Sequence, residues 1–528
     1  MRASAVRRGR ESAVTGRISW YRLRVTGAAA AGVAAALVLV APATATALRT
    51  AEASVTMTPE LQTKIQDMVE TFMADNKTVP GISVAVVSPD PAGADPVITT
   101  FVAGVENRAS GVPVEATTQF ELGSETKVFT AGLLASLLAT GTVALDDPIQ
   151  KYAPSGVIVP EWENPVTLEK TPITLLDLAT HTAGLTDAPP NLYDGCPQEK
   201  PDEHKPPHDP PHCANPKPGY TPAMLWDSFT EPCADTRQCP LWEPGTAWSY
   251  SNWGFALLGD IVAGLITPGA VPPGETGPGE VFQDSLETTF LDDLGMDSTT
   301  VEFPDTDPAT PYNGDETIHR WNNYNAYVGG GGLISTADDM GTFVAASLGY
   351  LPADAAPGVQ AVADIVAPVL PITQTCTPTA APGDACTATN FQMGLGWELR
   401  PALASGITVP YAHKNGGTAG GSTDTLLAPS LRIGVTTMFN QNGADIEQLA
   451  PRILSLLVAA QDAPDEATPP APTPTATPAP TAAPSPVPGE ALANTGANLL
   501  IPGLGSASFL LAGAAVLLVR RRRGISRI

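Results

Sequence analysis

Runs rich in β-branched residues stand at both ends of residues 58–460, and the long stretch between them is mostly of another kind. Gly81 to Val87 and Val97 to Val105 lie near the start, separated by the turn-forming Pro89-Asp90-Pro91-Ala92-Gly93. Thr423 to Ala428 and Ile433 to Phe439 lie near the end, joined by Pro429 and Ser430. Between about Ser124 and Thr389 the pattern is helical, broken by Pro and Gly loops. The layout this predicts is α+β: an antiparallel sheet built from both ends of the domain, flanked by helices, with a mostly helical subdomain inserted. A first helix is announced by Leu61, Ile65, Met68, Val69 and Phe72 on one face, capped near Thr58. A last helix is expected from about Asp445 to Ala459, with Pro451 able to kink or shorten it.

The flanking segments do not read as part of that domain. Residues 1–47 carry seven arginines, an apolar run from Ala28 to Val40 and the small-residue site Ala45-Thr46-Ala47, the order of a signal peptide removed by signal peptidase. The folded domain is then 48–461, with an insertion at about 186–241. Residues 462–490 form a linker in which Ala467 to Pro488 is almost entirely Pro, Ala and Thr, a composition that extends rather than folds. Residues 491–528 hold Leu492-Ala493-Asn494-Thr495-Gly496, an apolar stretch from Ala497 to Val519 and the basic cluster Arg520 to Arg523. That order resembles a sortase cell-wall sorting signal, with Ala493 where proline is usual. The resemblance implies cleavage after Thr495 and covalent attachment to a Gram-positive wall, or anchoring by the apolar segment if it is not processed.

The formal net charge is −26, and the seven arginines and one glutamate of 1–47 and the five arginines after Thr495 leave −37 for the residues between. Such a surface repels nucleic acid and reads as a solvated, soluble exterior. Six cysteines in an exported chain favour disulfides over metal; local pairs (Cys196 with Cys213, Cys233 with Cys239, Cys376 with Cys386) close the shortest loops, among 15 pairings that six cysteines allow. His204, His208 and His212 beside Cys213, with Asp202 and Asp209, are interrupted by prolines that prevent one helical face, so no metal and no cofactor is expected. That segment reads instead as a disulfide-braced surface insertion. A monomer is the default.

Chemistry concentrates in Phe120-Glu121-Leu122-Gly123-Ser124-Glu125-Thr126-Lys127, which runs into the apolar series Val128, Phe129, Leu133, Leu134, Leu137 and Leu138. At a helix start, residues three apart share a face, so the Lys127 amine can reach the Ser124 hydroxyl as a base reaches a nucleophile. Alone, this spacing equally describes a capping serine and a solvated lysine. Two further elements follow in order: Tyr250-Ser251-Asn252, and Lys414-Asn415-Gly416-Gly417-Thr418.

Those three elements, in that order, resemble the motifs of serine β-lactamases and penicillin-binding proteins. Leu178-Ala179-Thr180-His181-Thr182-Ala183-Gly184-Leu185, Leu294-Gly295-Met296, Gly329 to Leu333 with Ser335 to Met340, and Leu395-Gly396-Trp397 look like the class C β-lactamase and serine D-alanyl-D-alanine carboxypeptidase branch. The resemblance implies Ser124 as nucleophile, Lys127 as its base and Tyr250 as proton shuttle. Lys414 is the lysine that stays charged and orients Tyr250 and a substrate carboxylate. It further implies an oxyanion hole from the backbone N–H groups of Ser124 and Gly417, and substrate contacts from Asn252, Asn415, Gly416, Gly417 and Thr418. Asn415 stands where threonine is commonest, and Gly421 where an aromatic residue is frequent. His181 reads as structural, and His413 as facing away from Lys414 across the strand. The substrate expected is a peptidoglycan stem peptide, cut by a carboxypeptidase or endopeptidase. A β-lactam, an ester, or a wall-displayed module that binds without turnover are the alternatives.

Overall fold

The computed structural model describes residues 57–461 apart from 92, 94, 193–218, 231–239, 269–276, 302–307, 319, 321–324, 378–385, 404–405 and 444–447. The expected leader, linker and sorting segment, the His/Asp-rich part of the insertion, and Cys196, Cys213, Cys233 and Cys239 lie outside the described residues.

Helix α1 (Pro59–Asp75) precedes the hairpin β1 (Gly81–Pro89) and β2 (Pro96–Gly104). The helical part holds α2 (Thr126–Ala139), α3 (Asn252–Ile266), α4 (Pro278–Leu286), α5 (Ala337–Ser347) and α6 (Pro357–Asp364), with shorter pieces between them. The chain returns to the sheet as β3 (Leu370–Cys376), β4 (Cys386–Met393), β5 (Glu398–Arg400), β6 (Tyr411–Gly417), β7 (Ser422–Ala428) and β8 (Ile433–Phe439), and α7 (Leu449–Gln461) follows.

The eight strands form one sheet in the order β2-β1-β8-β7-β6-β5-β4-β3, every pairing antiparallel. The two ends of the domain meet where β1 pairs β8, with Ile82 opposite Phe439 and Val87 opposite Gly434. Residues 81–88 of β1 are buried throughout, because both faces of the sheet are covered. Successive side chains of a strand point to opposite faces. Val84 and Val86 therefore join Ile65, Val69, Phe72, Ile453 and Leu457 of α1 and α7, while Ala85 and Val87 join the larger core with α2, α3 and α5. The predicted face of α1 is buried at Leu61, Ile65, Val69 and Phe72, and Thr58 caps it by accepting from the Leu61 N–H at 3.2 Å.

Three local expectations change. The sheet continues into residues read as helical: β3 and β4 form an edge hairpin whose short runs carry proline, threonine and cysteine and alternate only loosely between buried and exposed. Cys376 and Cys386 face each other across it and form a disulfide. Helix α7 begins at Leu449, which puts Pro451 in its first turn, where a missing N–H costs no intrahelical bond. The described part of the 186–241 insertion is not a surface appendage, since Tyr220, Leu225, Trp226 and Phe229 are buried in the larger core. There the Trp226 indole N–H donates to Asp260 at 2.7 Å. Among the described residues, no helix is long and apolar enough to cross a membrane.

Candidate active site

The site forms where the helical part meets β6. A two-residue strand, Phe120–Glu121, pairs with Ile334–Ser335 and delivers the chain into a 3-10 turn, Gly123–Glu125, that runs directly into α2. Gly123 adopts φ +52°, and a side chain there would meet the backbone of Gly417 at 2.7 Å. Ser124 thus sits at the junction of turn and helix, partly exposed, with Lys127 one turn on and fully buried in α2.

The Lys127 amine has three partners: Ser124 Oγ at 3.1 Å, Asn252 Oδ1 at 2.6 Å, and the Gly330 carbonyl in a short contact. Burial lowers its pKa well below the ordinary lysine value, the charge of Lys414 lowers it further, and Asp187 opposes both. The amine is therefore biased toward its neutral form, which has a lone pair to offer.

Tyr250 donates its hydroxyl hydrogen to Ser124 Oγ at 2.5 Å. Burial pushes its pKa up, against the lowering effect of that hydrogen bond, so the phenol keeps its proton at neutral pH. Its position is set by His181, a buried residue with φ +58°. The His181 carbonyl accepts from the Ser249 N–H at 2.8 Å, its Nδ1 accepts from the Ser251 N–H at 3.0 Å, and its ring lies 4.5 Å from the Tyr250 ring. Burial, then Lys127 and Lys414, hold the imidazole well below its usual pKa, so it acts as a neutral acceptor that brackets Tyr250. The Lys127 and Lys414 amines stand 4.9 Å and 5.5 Å from the Tyr250 ring centroid.

Ser251 caps α3 by accepting from the Gly254 N–H at 2.9 Å, and its hydroxyl donates to the Thr186 carbonyl at 2.7 Å. Asn252, the first residue of α3, spans two groups: its Oδ1 takes the Lys127 bond and its Nδ2 donates to Asp187 Oδ1 at 2.9 Å.

On β6, Gly416 faces the turn that carries Ser124, and the Lys414 amine faces the Tyr250 ring. Lys414 is buried and donates to the Asn415 carbonyl at 2.5 Å. Gly416 packs so tightly on the turn that a methyl group there would overlap the Leu122 carbonyl oxygen. At Gly417 a methyl would meet nothing within 4 Å, so this residue borders open space. Asn415 is half-buried on the same strand. His413 pairs with buried Asp424 at 2.8 Å, Asp424 lying opposite Asn415 in the β6–β7 register.

Thr418 is buried beside the turn that follows β6. Its hydroxyl donates to Glu121 and accepts from the Gly421 N–H, its own N–H donates to Gly421, and its carbonyl accepts from Asn442. The two bonds with Gly421 close the turn after β6, and those with Glu121 and Asn442 tie it to neighbouring segments. Sequence reasoning missed three residues here: Gly330, whose carbonyl takes a Lys127 hydrogen; Asp187 behind Asn252; and Glu125, buried beneath the nucleophile. Glu125 Oε1 accepts from Thr425 at 2.9 Å while Oε2 is buried without a partner, and burial raises its pKa to about 8. Only the charge of Glu125 inside an apolar helix start hinted at it; Gly330 lay within the Gly329 to Leu333 segment with no role of its own, and nothing local marks Asp187.

A serine hydroxyl held between a lysine amine and a tyrosine hydroxyl, at the meeting of an antiparallel sheet and a helical region, defines a serine hydrolase of the penicillin-recognising kind. A family model described as Beta-lactamase matches residues 65–458, and the chain belongs to that family. Among curated proteins it is 48% identical over 64 residues to the D-alanyl-D-alanine-carboxypeptidase/endopeptidase AmpH of Escherichia coli K12, covering 12% of this chain and 15% of that protein. It is 34% identical over 158 residues to a β-lactamase of the same organism, covering 30% of this chain and 35% of that one. The chain thus spans well under half the length of each. Among solved structures, a β-lactamase/D-alanine carboxypeptidase from Pseudomonas syringae aligns over 78% of this chain and 100% of its own, with TM-score 0.52 and 22% identity. An octameric penicillin-binding protein homologue from Pyrococcus abyssi aligns over 75% and 77%, with TM-score 0.53 and 20% identity. These two likenesses establish the fold.

Proposed function

We propose that this protein is an exported, wall-anchored serine hydrolase that works through an acyl-enzyme, acting as a D-alanyl-D-alanine carboxypeptidase or endopeptidase on peptidoglycan stem peptides. One observation carries the reading: Ser124 Oγ has Lys127 at 3.1 Å and Tyr250 at 2.5 Å. In the acylation step the Ser124 proton passes to the neutral Lys127 amine as Oγ forms its bond to the substrate carbonyl carbon. The N–H groups of Ser124 and Gly417 hold the oxyanion. Collapse of the tetrahedral intermediate breaks the bond to the leaving amine, which takes a proton delivered through Tyr250. Water, deprotonated by the same relay, then cleaves the ester and restores Ser124. Lys414 holds the substrate carboxylate, and Asn252 offers its second amide hydrogen to the substrate carbonyl. The export signal and sorting segment read from the sequence support a place at the wall, beside signal peptidase and sortase, where the peptide substrate is found.

A class C-like β-lactamase is the second reading, favoured by the 34% identity to one over 158 residues. An esterase shares the same machinery. Time courses with nitrocefin, a diacetylated Lys-D-Ala-D-Ala peptide and a p-nitrophenyl ester, beside Ser124→Ala, separate them. Peptide cleavage with stoichiometric trapping by penicillin supports the peptidase, and sustained nitrocefin turnover supports the β-lactamase. Ester turnover alone supports the esterase, and no Ser124-dependent signal overturns the enzymatic reading.

A further inference from the structure

The protonation logic of Lys127 leads to a residue outside the three motifs. A neutral amine has two hydrogens and one lone pair. Around Lys127 stand three oxygens: the Gly330 carbonyl, which can only accept, Asn252 Oδ1, and Ser124 Oγ. If Asn252 presents its carbonyl oxygen, both amine hydrogens are used and the lone pair is left for the Ser124 hydroxyl. If the amide is reversed, its NH2 group takes the lone pair, and an amine hydrogen points at Ser124 instead. The amine is then no base.

What decides between these two arrangements is on the far side of the amide. Asp187 Oδ1 lies 2.9 Å from Asn252 Nδ2. A carboxylate has no hydrogen to give, so reversal would bring two acceptor oxygens together at that distance. Asp187 is itself held: its carbonyl accepts from the Trp253 N–H at 2.9 Å, and the neighbouring Thr186 carbonyl accepts from Ser251 at 2.7 Å. Its carboxylate also stands beside the N-terminus of the 15-residue helix α3, where negative charge is favoured.

We infer that Asp187 is a positioning residue: by accepting from the Asn252 amide it fixes which end faces Lys127, and so aims the lone pair of the lysine at Ser124. This rests on Lys127 being the base under the proposed function. Asp187 orients the lysine through Asn252, which distinguishes it from a carboxylate that grips a cationic substrate. It acts on Lys127 electrostatically as well, in opposition to Lys414.

The test is a double-mutant cycle on the full chain, read as the pH-dependent rate of acylation by a fluorescent penicillin. Asp187→Leu should lower the plateau rate roughly tenfold to a hundredfold, part of what a well-placed base supplies. It should also move the acid limb to lower pH, because a charge that favours the ammonium is gone. Asp187→Glu should restore much of the plateau. In an Asn252→Ala background, Asp187→Leu should lower the plateau no further. An undiminished loss in that background, or an unchanged plateau in the single variant, overturns the inference. A second readout needs no activity: in protein labelled with 15N-asparagine, the Asn252 side-chain amide resonances, assigned by their loss in Asn252→Ala, should shift in Asp187→Leu and stay near their place in Asp187→Glu. If wild-type protein shows no Ser124-dependent acylation, the proposed function fails and the amide resonances decide this inference: a shift supports it and none overturns it.

Discussion

Gly416 on β6 and Leu122 before the nucleophile are in backbone contact, with no room between them for even a methyl group on the glycine. The same imaginary methyl would crowd the Thr423 hydroxyl, which donates to the Leu122 carbonyl at 3.0 Å, and the Glu125 N–H at 3.1 Å. The third motif is therefore a brace for the turn that carries Ser124, as well as a wall of the cleft.

Gly416→Ala is expected to displace that turn. Overpacking of this kind costs about 1–3 kcal/mol, and a shift of the nucleophile against its base lowers acylation at least a hundredfold. Gly417→Ala, whose methyl enters open space, should fold with an unchanged urea midpoint and lose activity only through substrate access. Equal destabilisation of the two variants would contradict the brace.

Tyr250→Phe removes the hydroxyl that donates to Ser124 but keeps a ring packed on His181. Penicillin acylation is expected to fall by roughly 10²–10⁴, as for loss of a proton-transfer group, with little change in thermal midpoint. A variant that acylates at the wild-type rate would remove Tyr250 from the relay.

Lys414 lowers the pKa of Lys127 through its charge. Taking that charge away in Lys414→Met lets Lys127 hold its proton to higher pH. The acid limb of the acylation rate should therefore move to higher pH, opposite to the shift expected of Asp187→Leu. Limbs that move together in the two variants would mean that a group other than Lys127 titrates.

Glu125 gives a stability signature. The folded protein keeps its proton up to about pH 8, whereas the unfolded chain releases it near the ordinary value of 4.5. Between those values the folded state binds more protons, so this residue withdraws stability as pH rises, about 1.4 kcal/mol per unit, and the effect levels off above the folded pKa. Glu125→Gln removes the dependence. Urea titrations from pH 5 to 9 should show the variant gaining on wild type up to about pH 8. A constant gap would mean that Glu125 is ionised in the folded protein.

Some of this was legible in the chain itself. The β-branched runs at both ends, the apolar face of α1, and the spacing of Ser124 and Lys127 follow from local periodicity, and local periodicity is what a sequence displays directly. The hairpin of β3 and β4 was hidden because an edge strand leaves alternate residues exposed and so loses its apolar signal, although the Cys376–Cys386 pair that closes it was among the local pairs expected. The hydrogen bonds that tie Thr418 to Glu121 and Asn442 were hidden as well, because those partners come from segments far from it in the chain.

The sequence by itself determined the kinds of group present: a nucleophile with an amine one helical turn away, a tyrosine, a second lysine and small residues beside it. Their protonation and direction were decided only by tertiary structure. The neutrality of Lys127 depends on burial and on Lys414, which lies 287 positions along the chain. The direction of its lone pair depends on Gly330, Asn252 and Asp187, which come from three separate segments. Charge and hydrogen-bond geometry act through space over a few ångströms, and no spacing along the chain records which distant residues will lie that close.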